Sequence, residues 1–189
     1  YVFGKLLKGI DIRQHGSGNV GATNAFRVLG RGPGIAVFVL DVLKGVLPVM
    51  LFGNLFQLDV NGRIVAAVAA VVGHNWTCFL RFKGGKGIAT TLGVLIGLTI
   101  ALPVIRLAVV LCVVSWVLCF VITAYISVAS ILAAVLLPIL MVVVDAPLSM
   151  TLLSVLFCLF VVFRHRPNIH RLLIGQEPKV PLPFHKSGK

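Results

Sequence analysis

Residues 107–144 read LAVVLCVVSWVLCFVITAYISVASILAAVLLPILMVVV, a run of 38 residues without Asp, Glu, Lys or Arg. A helix needs about 20 apolar residues to cross the hydrocarbon core of a bilayer, so this run is long enough for two spans. The whole chain agrees, since 59% of its 189 residues are hydrophobic, 12% are charged and the mean hydropathy is +1.07. This composition excludes a soluble enzyme, a disordered tail and a coiled coil, and it predicts an all-α, polytopic membrane protein.

The hydropathy pattern predicts six full transmembrane helices and part of a seventh. The six lie roughly at 33–53, 60–79, 88–104, 106–125, 127–144 and 146–163. We expect residues 1–8 to be the end of an N-terminal span that is mostly missing, because residue 1 is Tyr, and no signal peptide is visible. With no repeat and no second domain in the pattern, we expect one membrane domain over residues 1–189 with a tail at 164–189.

The basic residues are distributed unevenly among the predicted loops. Of 17 Lys and Arg residues, 14 fall in three segments that the span count places on one side of the membrane. These are Lys5, Lys8, Arg13, Arg27, Arg31, Arg81, Lys83, Lys86, Arg164, Arg166, Arg171, Lys179, Lys186 and Lys189. The positive-inside rule makes that side cytoplasmic, so the N-terminus is expected outside and the C-terminus inside. The apolar bulk argues against nucleic acid as the partner of the +12 net charge.

The first cytoplasmic segment is Gly16-Ser-Gly-Asn-Val-Gly-Ala-Thr-Asn-Ala-Phe-Arg27. Its glycines allow tight turns that present N–H groups to an anion. Its polar side chains are Ser17, Asn19, Thr23, Asn24 and Arg27. The glycine spacing matches the dinucleotide-binding fingerprint, but no strand–helix unit surrounds it, so we reject that interpretation. The alternative to an anion site is a solvated loop with helix caps.

The second segment, from Gly73 to Gly87, ends in Lys83-Gly-Gly-Lys86-Gly just before a predicted helix. Two ammonium groups beside glycine N–H groups, at a helix N-terminus, favour phosphate binding. The spacing of a Walker A loop is absent. The alternative is an ordinary cluster of positive-inside lysines. His74, near the predicted interface, is either a base or an interfacial histidine with its hydrogen bonds satisfied.

The third segment is Arg164-His-Arg-Pro-Asn-Ile-His-Arg171, followed by Gly175-Gln-Glu177. Arginines bind phosphate through two parallel hydrogen bonds, and several of them suit a highly charged substrate. The alternative is a basic anchor for anionic lipid. Ser127 and Ser130, on the same predicted side, either bind substrate or pack helices.

Acidic residues are scarce, and the positions of three of them are informative. Asp41 shares a helix face with Lys44 inside a span, which predicts an ion pair that supports the site rather than a substrate contact. On the cytoplasmic side only Asp11 and Glu177 remain, too few for a magnesium-dependent phosphotransferase. We therefore expect neither metal nor cofactor. The four cysteines, which all lie in apolar runs, are expected to be core residues.

Two familiar signatures of acyl-transfer enzymes are also absent. No histidine is followed by the His-x4-Asp spacing of common glycerolipid acyltransferases, and no GxSxG nucleophile elbow occurs. The residues therefore predict a metal-free, phosphate-binding site without an acyl-enzyme.

Three long motifs, in this order, resemble those of the bacterial membrane acyl-phosphate:glycerol-3-phosphate acyltransferases, the PlsY family. They are Gly16-Ser-Gly-Asn-x-Gly-Ala-Thr-Asn-x-x-Arg27, Gly73-His with Phe82-Lys-Gly-Gly-Lys-Gly-Ile-Ala-Thr90, and His165-Arg-x-Asn-Ile-x-Arg-Leu172 with Gly175-x-Glu177. Asp41-Val-Leu-Lys-Gly-Val-Leu-Pro48 also matches, whereas Thr77-Cys78 stands where the family usually has Pro-Val. The resemblance covers nearly the whole chain and implies seven transmembrane helices in the bacterial inner membrane, with a cytoplasmic active site.

The resemblance implies that acyl phosphate acylates the 1-hydroxyl of glycerol 3-phosphate, giving lysophosphatidic acid and inorganic phosphate. It also implies a functional link to the enzyme that forms acyl phosphate. The residues expected to act in catalysis are Ser17, His74, Lys86, His165 and Asn168. Those expected to hold phosphate are Arg27, Lys83, Gly84, Gly85, Lys86, Gly87 and Arg171. Asn19, Asn24, Ser127 and Ser130 are expected to orient substrate, and Asp41, Lys44 and Glu177 to support the site.

Two questions stay open at the level of sequence. The proton acceptor is His74, His165 or a substrate phosphate, and the phosphate is favoured because neither histidine has an evident carboxylate partner. The activity has two competitors. A transporter of organic phosphates would need polar groups at mid-membrane and paired broken helices. A lipid-anchoring protein would explain the basic residues but not the Gly/Asn motifs.

Overall fold

The computed structural model describes residues 1–181, and all regular structure in that part of the chain is helical. Lys186 and Lys189, at the end of the predicted tail, lie outside the described residues. The chain divides into two compact units, one formed by Tyr1–Ala101 and one that begins at Leu102.

The first unit contains five helices. They are α1 (Val2–Lys8), α2 (Ala22–Leu29), α3 (Arg31–Leu47), α4 (Val60–Asn75) and α5 (Ile88–Ala101). Helix α3 continues through a π turn, Pro48–Phe52, and a last helical turn, Gly53–Leu55. Short 3₁₀ turns occur at Ile12–Gln14 and Cys78–Leu80.

The second unit contains four helices within the described residues. They are α6 (Arg106–Thr123), α7 (Ile126–Val143), α8 (Leu148–Arg164) and α9 (Arg166–Leu173), preceded by a 3₁₀ turn at Pro103–Ile105. Met141, Met150 and Phe157 are almost completely buried among these helices. Pro138 lies inside α7. Membrane helices tolerate proline where neighbouring groups form hydrogen bonds with the backbone carbonyl that proline leaves unpaired.

Within the described residues, four helical stretches are long and apolar enough to cross a membrane, and they overlap four of the six predicted spans. They are Arg31–Leu55, Val60–Leu80, Pro103–Thr123 and Ile126–Val143. Helix α8 passes the same test only together with α9, from which it is bent by 56°. Helix α5 has 14 residues, about 21 Å at the helical rise, and is shorter than the predicted 88–104. It ends because Leu102 leaves the helical conformation and Pro103 has no N–H to continue the ladder.

Helices α3 and α5 approach each other closely through glycines. A Cβ atom on Gly45 would lie 2.1 Å from the carbonyl oxygen of Thr90, and one on Gly93 would lie 2.0 Å from that of Val42. The two backbones are therefore in direct contact, which is the role that small residues play at helix interfaces in membranes. This contact fixes the first half of α5 against the C-terminal part of α3.

The cysteines follow the prediction only in part. Cys112 is buried, and Cys119 and Cys158 are half-buried, but Cys78 is exposed. The prediction that Cys78 is a core residue is wrong because α4 has already ended at Asn75, and Cys78 lies in the 3₁₀ turn that follows.

Candidate active site

Asn24 stabilises the first glycine-rich segment through hydrogen bonds to the main chain of nearby residues. Its side chain is fully buried. Its Nδ2 donates to the carbonyl oxygens of Ile12 (3.2 Å) and His15 (3.0 Å), and its Oδ1 accepts from the N–H of Ser17 (2.9 Å). The expectation that Asn24 orients substrate is therefore not met, because both amide hydrogens and the oxygen already serve the loop.

The other polar residues that were predicted in this segment lie at or near the surface. Ser17 and Arg27 are exposed, and Asn19 is half-buried with its amide against Gly21. Gly16 has a positive φ of 60°, and a Cβ there would lie 2.2 Å from Asn24 Oδ1. Only glycine suits this position, since any larger residue would displace Asn24.

An ion pair stabilises the chain just before this loop. Asp11 accepts from the N–H of Arg13 and pairs with its guanidinium at 2.6 Å. The Arg13 side chain holds the pKa of Asp11 down at about 2, so this carboxyl stays ionised. It also caps the 3₁₀ turn Ile12–Gln14, and so fixes the entry to the segment.

The Lys83–Gly87 loop is seated on the C-terminal end of α4. The N–H groups of Gly84 and Gly85 donate to the carbonyl oxygens of Asn75 (3.1 Å) and His74 (3.2 Å). The expectation that these two N–H groups face an anion is therefore corrected, because they satisfy carbonyls left over at a helix end. Lys83 is exposed and Lys86 is half-buried. The glycines thus position the loop, and the cationic side chains carry its charge.

Asp41 connects α3 with α4. Its Oδ1 accepts from Lys44 Nζ at 3.0 Å, which confirms the predicted ion pair, and the same oxygen lies 3.6 Å from His74 Nδ1. The side chains of Asp41 and His74 are 7% and 9% exposed. The statement that no histidine has a carboxylate partner is therefore wrong for His74, and no spacing rule connects two residues this far apart in sequence.

Glu177 is the centre of a polar cluster in the second unit. Its Oε1 accepts from Ser127 Oγ (2.8 Å) and Asn168 Nδ2 (2.6 Å), and its Oε2 accepts from Arg171 Nε (2.8 Å). Burial acts to raise the pKa of Glu177, but these three hydrogen bonds outweigh it and hold the pKa below its ordinary value. The supporting role predicted for Glu177 thus has a concrete form.

The C-terminal tail brings Glu177 to this position. After α9 the chain turns back, with the N–H groups of Gln176 and Glu177 donating to the carbonyl oxygen of Arg171. The N–H of Val180 donates to the carbonyl oxygen of Ala124, in the turn between α6 and α7.

His165 and Ser130 are buried and oriented by specific contacts. His165 Nδ1 lies 2.8 Å from the carbonyl oxygen of Val161. Since a carbonyl only accepts, Nδ1 carries the proton there, and Nε2 is the basic nitrogen of the neutral ring. Ser130 Oγ accepts from Trp116 Nε1 at 3.1 Å.

Trp116 is a residue of this site that the sequence interpretation missed. It lies within an apolar span, where it was counted only as hydrophobic. An indole N–H inside a membrane helix needs an acceptor, and that requirement is the signal that would have drawn attention to it.

Comparison with known proteins identifies the group to which these features belong. The family model described as glycerol-3-phosphate acyltransferase matches residues 1–175. The chain is 43% identical to a glycerol-3-phosphate acyltransferase of Halalkalibacterium halodurans, over 95% of this chain and 87% of the relative. It is 40% identical to the one of Trichormus variabilis, over 95% and 84% of the two chains.

Two solved structures are also similar. Both are of PlsY (YgiH), an integral membrane glycerol 3-phosphate acyltransferase. The glycerol 3-phosphate form has a TM-score of 0.83 and 37% identity, covering 95% of this chain and 88% of that one. The lysophosphatidic acid form has a TM-score of 0.80 and 36% identity, covering 94% and 85%.

Proposed function

The chain belongs to the glycerol-3-phosphate acyltransferase family, and from this premise we propose that it transfers a fatty acyl group from acyl phosphate to the 1-hydroxyl of glycerol 3-phosphate. The products are lysophosphatidic acid and inorganic phosphate, in the first acylation of phospholipid synthesis. The observation that carries the proposal is the family match over residues 1–175, a range that includes the three cytoplasmic motifs except for Glu177. We further propose that residues 1–189 form one acyltransferase domain and that the donor comes from an acyl-phosphate-forming enzyme.

The reaction needs no covalent intermediate on the protein. The hydroxyl oxygen forms a bond to the acyl carbon, the bond from that carbon to the phosphate oxygen breaks, and the hydroxyl proton goes to the departing phosphate. The departing phosphate is a competent acceptor, because the oxygen released from the acyl carbon gains negative charge and becomes more basic than the oxygens of a phosphate monoester, whose second pKa is about 6. The contribution of the protein is then to position two phosphorylated substrates and to stabilise developing negative charge.

We assign roles to side chains within each unit. In the first unit, Arg27, Lys83 and Lys86 bind phosphate, and Ser17 and Asn19 bind substrate oxygens. In the second unit, His165 and Asn168 bind glycerol 3-phosphate, Ser130 orients it, and Glu177 fixes Asn168, Arg171 and Ser127. Cationic and amide groups in such numbers suit substrates with several negative charges.

Location is a further part of the proposal. The protein is an integral membrane protein, and we assign it to the bacterial inner membrane with the active site in the cytoplasm. The excess of Lys and Arg in three predicted loops supports this orientation. A cytoplasmic site gives access to soluble glycerol 3-phosphate, while the acyl chain enters from the bilayer.

The test uses the protein in liposomes with glycerol 3-phosphate and either palmitoyl phosphate or palmitoyl-CoA, without added metal. We expect lysophosphatidic acid and equimolar inorganic phosphate from palmitoyl phosphate alone. Product from palmitoyl-CoA would overturn the donor assignment. No product from either donor, in protein shown to be folded, would overturn the acyltransferase activity.

A matched pair of variants tests the phosphate site. Lys86→Met removes the charge and keeps the length of the side chain, and we expect a loss of activity of about 100-fold or more, because a charge-assisted contact is lost. Lys5→Met, at an exposed position in α1, is the control for general loss of positive charge. Equal effects of both substitutions would argue against a specific role for Lys86.

A further inference from the structure

The contacts of His74 connect two of the motifs of the first unit. Its Nδ1 faces Asp41 Oδ1 at 3.6 Å, and the same oxygen is paired with Lys44 Nζ. On the other side of the ring, a Cβ atom built on Gly85 would lie 2.2 Å from His74 Nε2, and its next nearest neighbours are two carbons of the same ring. The imidazole therefore lies between the Asp41 carboxylate and the backbone of Gly85.

The main chain reinforces this arrangement. The carbonyl oxygen of His74 accepts from the N–H of Gly85, and that of Asn75 accepts from the N–H of Gly84. Helix α4 thus supports the loop with two carbonyls and one side chain. Lys86 follows Gly85 directly and α5 begins two residues later, at Ile88. The orientation of the Gly84–Gly85 peptides consequently determines where Lys86 leaves the backbone.

We propose that Asp41 and His74 are a positioning pair: Asp41 fixes the imidazole ring, and the ring supports Gly85 so that Lys86 is presented to a phosphate group of the substrate. The proposal rests on the proposed function insofar as Lys86 binds substrate phosphate. It replaces the interpretation of His74 as a general base. A base must lie within hydrogen-bonding reach of the proton it removes, whereas the Nε2 edge of His74 is covered by Gly85 and the side chain is 9% exposed.

A double-substitution experiment tests the contact between His74 and Gly85. The φ angle of Gly85 is not among the positive ones, so alanine is compatible with its backbone, and the three atoms nearest to the new Cβ all belong to the His74 ring. His74→Asn keeps a donor toward Asp41 and removes the ring atoms that the new Cβ would meet. Gly85→Ala alone is expected to raise the KM for glycerol 3-phosphate about tenfold or more, with a smaller change in kcat. In the His74→Asn protein, Gly85→Ala is expected to raise this KM by less than about threefold beyond the effect of His74→Asn.

Gly84→Ala is the matched control. A Cβ at Gly84 would lie 2.0 Å from the carbonyl oxygen of His74, a main-chain atom that no substitution of the side chain removes. Its effect should therefore be the same with His74 and with Asn at that position. If Gly85→Ala is equally harmful in both backgrounds, the ring does not support the loop and the proposal is wrong. A loss of more than about 100-fold in kcat for His74→Asn, at unchanged KM, would instead make His74 a catalytic group.

A binding readout separates this proposal from the proposed function. Inorganic phosphate should raise the melting temperature of the purified protein by mass action, and Asp41→Asn should reduce that increase while leaving the size of the side chain unchanged. The protein could form no lysophosphatidic acid and yet show a phosphate-induced rise in melting temperature that these substitutions reduce. That result would support the positioning pair and contradict the proposed acyltransferase activity. An increase that is unaffected by Asp41→Asn, His74→Asn and Gly85→Ala would overturn the pair.

Discussion

Asp41 Oδ1 lies 3.6 Å from His74 Nδ1. Asp41 is ten residues after the start of α3, and His74 is the penultimate residue of α4. Ten residues of helix correspond to about 15 Å. The C-terminal end of α4 therefore packs beside the middle of α3, about 15 Å along the helix axis from its first residue. The first turn of α5 also approaches α3 near this level, because a Cβ atom on Gly45 would lie 2.1 Å from the carbonyl oxygen of Thr90.

The close approach of α3 and α5 depends on Gly45 and Gly93. We expect Gly45→Ala and Gly93→Ala each to destabilise the protein by about 1–3 kcal/mol, because the added methyl group would overlap main-chain atoms of the neighbouring helix. Gly32→Ala is the control in α3, since a Cβ there meets nothing within 4 Å. The measurement is the thermal unfolding midpoint in detergent. Equal midpoints for all three variants would show that the backbones do not touch.

Asn24 is expected to act on stability rather than on substrate affinity. Asn24→Ala leaves the carbonyls of Ile12 and His15 and the N–H of Ser17 without this partner, at a cost of about 1–3 kcal/mol for each polar group left buried. Asn19→Ala, which removes a half-buried amide from the same loop, should instead raise KM with little change in the unfolding midpoint. The reverse assignment of the two effects would contradict the structure.

Glu177 should make stability depend on pH in the acid range. Its pKa in the folded protein is below the ordinary 4.5, so the unfolded chain takes up a proton first as the pH falls. The stabilisation is thus complete above pH 4.5 and is lost as the pH drops through the folded-state pKa. Glu177→Gln is expected to cost about 1–3 kcal/mol at pH 7. The gap between its unfolding midpoint and that of the parent protein should narrow below pH 4.5, and a constant gap would refute this account.

Trp116 is expected to act through Ser130. Trp116→Phe keeps an aromatic ring in α6 but removes the N–H that donates to Ser130 Oγ, and we expect a rise in KM for glycerol 3-phosphate of about threefold to tenfold. The same substitution in a Ser130→Ala protein should add almost nothing, because the acceptor is already gone. Fully additive effects would mean that Trp116 acts independently of this hydrogen bond.

The proposed orientation can be read from cysteine accessibility. In intact cells a membrane-impermeant maleimide should label Asp145→Cys in a protein without other cysteines, since the loop at Asp145 is expected outside. The native Cys78, which is exposed, should react only after the membrane is permeabilised. Labelling of Cys78 in intact cells would reverse the orientation and place the Lys83–Gly87 loop outside.

Sequence patterns were sufficient for the features that depend on composition along the chain. Hydrophobic length predicted four helical stretches that are long enough to cross a membrane. Helix α8 reaches that length only together with α9, and α5 is shorter than expected because its end is set by the local geometry of Leu102 and Pro103. Helical spacing predicted the Asp41–Lys44 pair, because residues three apart share a face whatever the surroundings. The motif resemblance indicated the family that the comparisons then established.

Side-chain contacts between distant segments were beyond the reach of these patterns. Asn24 looked like a substrate ligand and is instead a structural residue. The N–H groups of Gly84 and Gly85 looked like an anion nest and instead donate to carbonyls at the end of α4. In both cases a buried polar group must find a partner, and which partner it finds depends on where the backbone brings other donors and acceptors.

The sequence by itself therefore determined that this chain is a helical membrane protein and which segments carry its polar chemistry, because the cost of burying polar groups in lipid acts on each segment separately. Only the tertiary structure decided that His74 faces Asp41, that Glu177 gathers Ser127, Asn168 and Arg171, and that Trp116 holds Ser130. Hydrogen bonds act over about 3 Å, so their partners are fixed by how the helices pack and not by distance along the chain.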